Sequence, residues 1–505
     1  MNKFFITIGL LAVSLGASAQ LQLDRFFGSG MVLQREMPIR FSGTGTPGRA
    51  IVLYFGSKEV STQVDARGRW QAYLPPAPAN AAGQQLIVRM DTCRLVLHDI
   101  LIGDIWVCAG QSNMEFMLKS DQNAAEALQQ AGIPMLRLLN EVKQTSTYNS
   151  SYQLKDIAAL YPENYYNGQW KVSDKDAAMG FSAVAFYFGK ALVQQLKVPV
   201  GLIHVAVGGS PTEAWVRPAS VQGDTALQKI FDSDWWNNLV LEPWCIQRGH
   251  ENLDSLLKQG VVLPKDSLGY QHPFKPGFLY QAAIAPLTDF AIKGVIWYQG
   301  ESNALSADRV TQHEALFKVL VTDWRRQWHQ PALPFYYCQL SSISTESGYH
   351  SEYWPVFRDS QRRLTDSLPH TGMAVTSDVG DRTNVHPRDK RTVGERLALV
   401  ALKDTYHQQV ASTGPKPVKA VLRRQKVVVT FSDVEGKLKT ADGKPLRGFS
   451  LDNGGPVPAI IRGNTVVIGV NGKVQILQYG WSPYTDANLC NGVGLPASTF
   501  ALPVQ

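Results

Sequence analysis

Charge is sparse in this 505-residue sequence: Asp, Glu, Lys and Arg together make up only 18% of it. Like charges occur in nothing longer than pairs such as Arg325-Arg326 and Arg423-Arg424. The net charge of +7, one less if Lys3 leaves with a leader, is therefore spread thin and forms no basic stripe, which excludes nucleic acid as a partner. Cysteine is scarce too. The five residues, Cys93, Cys108, Cys245, Cys338 and Cys490, lie far apart, with no Cys-x-x-Cys or Cys/His pattern, so no metal site is expected. An odd number leaves at least one free thiol even where export permits disulfides, and Cys108 reads as a small buried hydrophobe. Beyond the first residues no apolar run is long enough to span a bilayer, and repeats and low-complexity tracts are missing.

What is present begins with MNKFFITIGLLAVSLGASAQ: one Lys3, an apolar stretch from Phe4 to Leu15, then the small-x-small pattern Ala17-Ser18-Ala19. This is the layout of a secretory signal over residues 1–19 with a mature start near Gln20, and it predicts an exported protein, periplasmic or secreted. A membrane anchor is the alternative, but the stretch falls short of the roughly 20 residues a spanning helix needs.

Three textures follow. Residues 20–98 alternate short β-branched runs such as AIVLYFG and QLIVRM with GTGTPG and LPPAPANAAG, which predicts an N-terminal β-sandwich domain. Residues 99–415 alternate apolar runs (LIGDIWVCAG, VPVGLIHVAVGG, KGVIWYQG, LPFYYCQL, HTGMAVTSDVG) with amphipathic segments, which predicts an α/β domain with a parallel sheet. Within it, about 221–275 is irregular and Trp-rich, the mark of a functional insertion. Residues 416–505 are β-like again and could complete the first sandwich.

In parallel sheets ligands bind beyond the carboxyl ends of the strands, so the polar residues closing each run are the candidates. In VCAGQSNMEF, Ser112 stands where a buried strand gives way to a helix. It is either a nucleophile or a helix N-cap. A nucleophile needs a base. Among ten histidines, His386 in DVGDRTNVHPRDKRTVGERLAL combines strand-end placement with acidic neighbours, just before a helix that Thr392 could start. Gly208 and Gly209 in HVAVGGSPTEAW, and Gln299, Gly300 and Asn303 in VIWYQGESNA, offer backbone and side-chain donors for an oxyanion. Candidate substrate-binding residues are Gln111, Asn113, Trp215, Arg217, Glu301 and Asn303, with Trp297 and Tyr298 as further flat faces and Arg217 as a fork for a carboxylate. The hydrolase elbow G-x-S-x-G does not fit, because Met114 replaces its second glycine.

GQSNM, GGSPTEAW, IWYQGESNA and DVGDRTNVHPRDKRTVGERLA, in this order, resemble the blocks of the SGNH/GDSL-type hydrolases, and among them the sialate O-acetylesterase family. MVLQR (Met31 to Arg35), DARGRWQAYLP, FLYQAAIAPL and NLCNGVGLPASTF extend the likeness over nearly the whole mature chain. The resemblance implies a flavodoxin-like three-layer hydrolase domain with a jelly-roll-like β domain, acting without metal or organic cofactor on O-acetylated sialic acids or related acetylated glycans. It implies Ser112 as nucleophile, His386 as base, and the Ser112 N–H, a glycine of the 208–209 pair and Gln299 as oxyanion donors. One position departs from the pattern. The superfamily's D-x-x-H acid position holds Thr383, so Asp381 is the favoured third member, with Asp378 or a backbone carbonyl as alternatives. Two rivals remain: an acetylxylan or other glycan esterase, and a secreted carbohydrate-binding protein with an inactive core. Oligomeric state is not legible in the sequence.

Overall fold

One 18-residue strand, Cys93–Gly110, organises the computed structural model of this protein, which describes residues 20–148 and 151–505. The expected signal, 1–19, lies outside the described residues. The strand's first half pairs antiparallel with Asn80–Met90 and parallel with Val32–Gln34. Its second half pairs parallel with Val200–His204 on one side and Gly294–Tyr298 on the other. The change of texture read near Asp99 thus falls inside a single strand, shared by the N-terminal β region and the α/β sheet.

That sheet runs Ile133–Asn140, Val200–His204, Cys93–Gly110, Gly294–Tyr298, Phe335–Cys338, Thr371–Ala374, all parallel, with Trp170–Ser173 antiparallel at the outer edge. Its strands read as unbroken apolar runs because both faces are covered. Trp106 and Cys108 face the helices Ala183–Leu196 and Lys390–Asp404, while Ile105, Val107 and Ala109 join the opposite core with Ala307–Gln327 and Trp354–Ser367. MVLQR pins the two parts together. Arg35 grips the fully buried Asp104 through Nε (2.9 Å) and Nη2 (3.0 Å), and Gln34 Oε1 accepts the Ile105 N–H at 2.9 Å.

The N-terminal β region adds a three-stranded antiparallel layer of Gln22–Leu23, Ile39–Thr44 and Arg69–Leu74, the last alternating exposed and buried residues as a half-buried strand must. The C-terminal residues form their own antiparallel sheets around Val427, Val429, Phe449, Ile468, Tyr479 and Phe500. Among the described residues none of their strands pairs with the N-terminal layer. They dock instead on the α/β domain through Arg358, whose wholly buried guanidinium donates to the carbonyls of Gly480 (3.0 Å), Ser482 (2.5 Å) and Pro483 (3.1 Å). The insertion is more regular than its sequence suggested. Pro243, suited to a first helical position, opens a 16-residue helix, Pro243–Lys258. All five cysteines are free thiols, and Cys108 is fully buried as expected.

Candidate active site

Four strand ends converge at the carboxyl edge of the sheet. After Gly110, the short helix Ser112–Glu115 begins with Gln111, not Ser112, as its N-cap, and no side chain caps it. Ser112 therefore has no capping duty; its hydroxyl, half-buried, meets the phenol of Tyr148.

His386 lies in the loop between the turn Ser377–Val379 and the helix Lys390–Asp404, which Asp389 caps by accepting the Thr392 N–H at 3.1 Å. The helix so begins two residues before the Thr392 start read from the sequence. Neighbours of the serine and the histidine are joined directly. Asn113 Nδ2 donates to the Val385 carbonyl (3.0 Å) and to Glu301 Oε1 (2.5 Å), and its Oδ1 accepts from Lys390 Nζ (2.5 Å). Asn113 and Lys390 are fully buried and Glu301 nearly so, so this network is a dry clamp beneath the serine turn. Burial pushes the Lys390 ammonium down to about 8 and the Glu301 carboxyl up. Burial, and then the Lys390 cation, hold the His386 imidazole below its usual range, with Glu115 opposing. The neutral, proton-accepting form is favoured.

The acid expected behind His386 is elsewhere. Asp381 Oδ1 accepts the N–H groups of Thr383 (2.8 Å) and Asn384 (3.0 Å), closing an Asx turn, and those bonds hold its carboxyl below the ordinary range. Asp378 is taken by Arg396 in a two-pronged pair at 2.6 and 2.7 Å. Among the described residues no carboxylate hydrogen-bonds the His386 ring.

Several expected donors and contacts are likewise committed. The Gly208 N–H donates to Glu115 Oε2 at 2.6 Å, and Glu115 is itself paired with Lys143 at 2.5 Å. Gln299 is fully buried and both of its amide hydrogens are used, on the Ser210 carbonyl (3.2 Å) and Asn303 Oδ1 (2.7 Å). Asn303 also donates to Glu213, which pairs with Arg309 at 2.5 Å, so it belongs to the same buried frame. Gln111 Oε1 accepts the Gly300 and Ser302 N–H groups at 3.4 and 3.3 Å. Trp215 is wholly buried edge-to-face on Trp297, with its N–H on Ser210 Oγ, and Tyr298 is also wholly buried. Arg217 forks onto Asp323 at 2.6 and 3.0 Å. A carboxamide that orders a buried frame is not free to bind a sugar, and a core tryptophan presents no face to one.

The Ser112 and Gly209 N–H groups remain, and neither donates to another described residue. Gly209 has φ +75°, and a Cβ there would lie 2.7 Å from Trp244 and 2.9 Å from Phe274, so only glycine fits between the insertion's aromatics. Tyr148, Lys390, Glu115 and Thr212 escaped the sequence reading. Glu115, Thr212 and Lys390 lie inside the blocks VCAGQSNMEF, HVAVGGSPTEAW and DVGDRTNVHPRDKRTVGERLAL, whereas Tyr148 carried no local signal.

A family model described as carbohydrate esterase, sialic acid-specific acetylesterase, matches residues 102–233 and 270–403, the segments that carry Ser112, Gly208, Gln299 and His386. The chain belongs to this carbohydrate esterase family. It is 30% identical to human sialate O-acetylesterase over 440 residues, 81% of this chain and 75% of that protein. It is 27% identical to the mouse enzyme over 529 residues, 95% and 93% of the two chains. The crystal structure of a carbohydrate acetylesterase from Xanthomonas citri superposes with a TM-score of 0.78 at 29% identity, covering 95% of this chain and 99% of that one. This protein is therefore an ester hydrolase, which sets aside the reading as an inactive carbohydrate-binding protein. The stretch that the family model skips, 234–269, lies within the insertion expected at 221–275. Its Trp244 and Arg248 reach Gly209 and the Thr147 carbonyl, so this esterase builds part of its site wall from a segment outside the matched regions.

Proposed function

We propose that this carbohydrate esterase removes O-acetyl groups from sialic acids by a serine-dependent route through an acetyl-enzyme. His386 takes the Ser112 proton as Oγ bonds to the acetyl carbonyl carbon. The sugar oxygen then leaves with that proton, and water, activated by the same imidazole, releases acetate and restores the serine. The Ser112 and Gly209 N–H groups hold the oxyanion. In the absence of a carboxylate on the imidazole, the pair works as a dyad oriented by its loop.

The observation that carries this reading is the bond from Asn113 to the Val385 carbonyl at 3.0 Å, which ties the neighbours of Ser112 and His386 together. The reading extends to the fold. With Trp170–Ser173 and Ile133–Asn140, the two strands at one edge, set aside, the other five run second, first, third, fourth, fifth in chain order, which supports a flavodoxin-like SGNH hydrolase domain over about 99–415. A jelly-roll-like β domain over 20–98, a separate β domain over 416–505, and export of the mature chain complete the proposal. Among the described residues no helix is long and apolar enough to cross a membrane.

A second substrate reading, an acetylated neutral glycan such as acetylxylan, draws support from Arg217. The guanidinium expected to meet the sialic acid carboxylate is bound by Asp323. One experiment tests both. Acetate release is measured from O-acetylated sialic acids, acetylxylan and p-nitrophenyl acetate with the wild type, Ser112→Ala and His386→Ala. Serine-independent release ends the serine route, and preference for the neutral polymer ends the sialate assignment.

A further inference from the structure

Accounting for the oxyanion donors leaves a gap. Three were expected, yet the Gln299 amide and the Gly208 N–H are spent on the frame, and two backbone groups remain. Tyr148 stands at the missing place. Its hydroxyl meets the Ser112 side chain and lies so close over Gly208 that a Cβ on that glycine would collide with it. It therefore sits between the serine and the second strand end, where the carbonyl oxygen of a bound acetyl group would point.

The segment is anchored for this. Thr147, nearly fully buried, donates from Oγ1 to the Gly208 carbonyl at 3.2 Å, and its own carbonyl accepts from Arg248 of the insertion helix at 3.5 Å. The rest of Tyr148 is turned outward, with 58% of the residue exposed. A surface tyrosine ordinarily keeps its ring on protein and its hydroxyl in water; here the arrangement is reversed. An exposed ring with an inward hydroxyl suits a sugar on one side and a reacting carbonyl on the other.

We infer that Tyr148 is a catalytic residue of this esterase: its phenol donates the third hydrogen bond to the oxyanion, and its ring is the aromatic face on which the acetylated sugar rests. This rests on the serine route proposed above. The phenol keeps its proton throughout and only donates. Burial of the hydroxyl, with Glu115 adding to it, pushes its ionisation up to about 12, so it stays a donor across the neutral range.

The test compares Tyr148→Phe, Tyr148→Ala and Ser112→Ala with the wild type on p-nitrophenyl acetate, which has no sugar, and on an O-acetylated sialic acid. Loss of one oxyanion donor lowers kcat by roughly 100-fold or more. Tyr148→Phe is expected to show that loss on both esters with KM nearly unchanged and an unaltered melting curve. Tyr148→Ala is expected to show the same kcat loss and a raised KM on the sugar ester alone. Wild-type kcat in Tyr148→Phe on both esters, with Ser112→Ala inactive, overturns the inference and leaves the serine route standing. Activity retained in Ser112→Ala overturns both.

Discussion

The carboxamide of Asn113 hydrogen-bonds the carbonyl of Val385 at 3.0 Å, so the residue after Ser112 holds the residue before His386. Those two neighbours lie 272 positions apart in the chain. The contact sets how closely the serine and histidine turns approach, and the buried Lys390 and Glu301 on either side of Asn113 fix its orientation.

Asn113→Leu should therefore damage catalysis and folding together. It leaves the Lys390 ammonium and the Val385 carbonyl buried without this partner, at about 1 to 3 kcal/mol for each unsatisfied group. A urea midpoint lowered in proportion, and a kcat fall on p-nitrophenyl acetate larger than the KM change, is the expected outcome. An unchanged kcat would remove the clamp from the catalytic account.

Lys390→Met should move the pH profile. A base must be unprotonated, so activity is lost as pH falls through the His386 value. The nearby cation helps hold that value low, while Glu115 pulls it up and Glu301, Asp121 and Asp389 surround the lysine. Without the cation, the acid limb of kcat/KM should shift to higher pH. An acid limb that stays in place refutes the coupling.

Gln299→Ala should behave as a frame mutation. The sequence suggested an oxyanion donor, and hence a large loss of turnover with a smaller effect on affinity. With both amide hydrogens bonded to Ser210 and Asn303 and Thr212 Oγ1 donating to its carbonyl oxygen at 2.6 Å, the expected loss is in stability, roughly 2 to 4 kcal/mol by denaturant unfolding. Well below the unfolding transition, kcat should fall far less than the roughly 100-fold of a lost oxyanion donor.

Arg217→Ala should not discriminate between substrates. Its guanidinium pairs with a nearly buried Asp323, while its own side chain is 29% exposed, so water screens part of what the pair contributes. Equal, modest losses on acetylated sialic acid and on neutral acetyl sugars are expected. A loss confined to the sialic acid would return Arg217 to carboxylate recognition.

Much of this was legible in the chain. The strands from Cys93–Gly110 onward announced themselves because a sheet covered on both faces must be apolar without alternation, and Ser112 and His386 are legible as polar candidates following such runs. The partners of those residues were not. Sequence offers the amide of Gln299 but not the direction in which it donates, and tertiary contacts with Thr212 and Ser210 decide that. Trp215 looks the same whether it faces a sugar or Trp297. Tyr148 lay in STYN, outside any strand end, and only folding brings it over Gly208.

The strand Cys93–Gly110 gives the enzyme one backbone rail for two jobs. Its first half is held by the N-terminal β strands Asn80–Met90 and Val32–Gln34, and its last residue leads into the serine turn, so a slip by one register step would rotate every side chain along it to the wrong face. A fragment begun at Asp99 would keep the pairing with Val200–His204 and Gly294–Tyr298 but lose Asn80–Met90, Val32–Gln34 and the Arg35 that holds the buried Asp104. The amino-terminal layer is thus a jig for the Ser112 turn rather than a detachable accessory, and cutting the chain between them should scrap both halves.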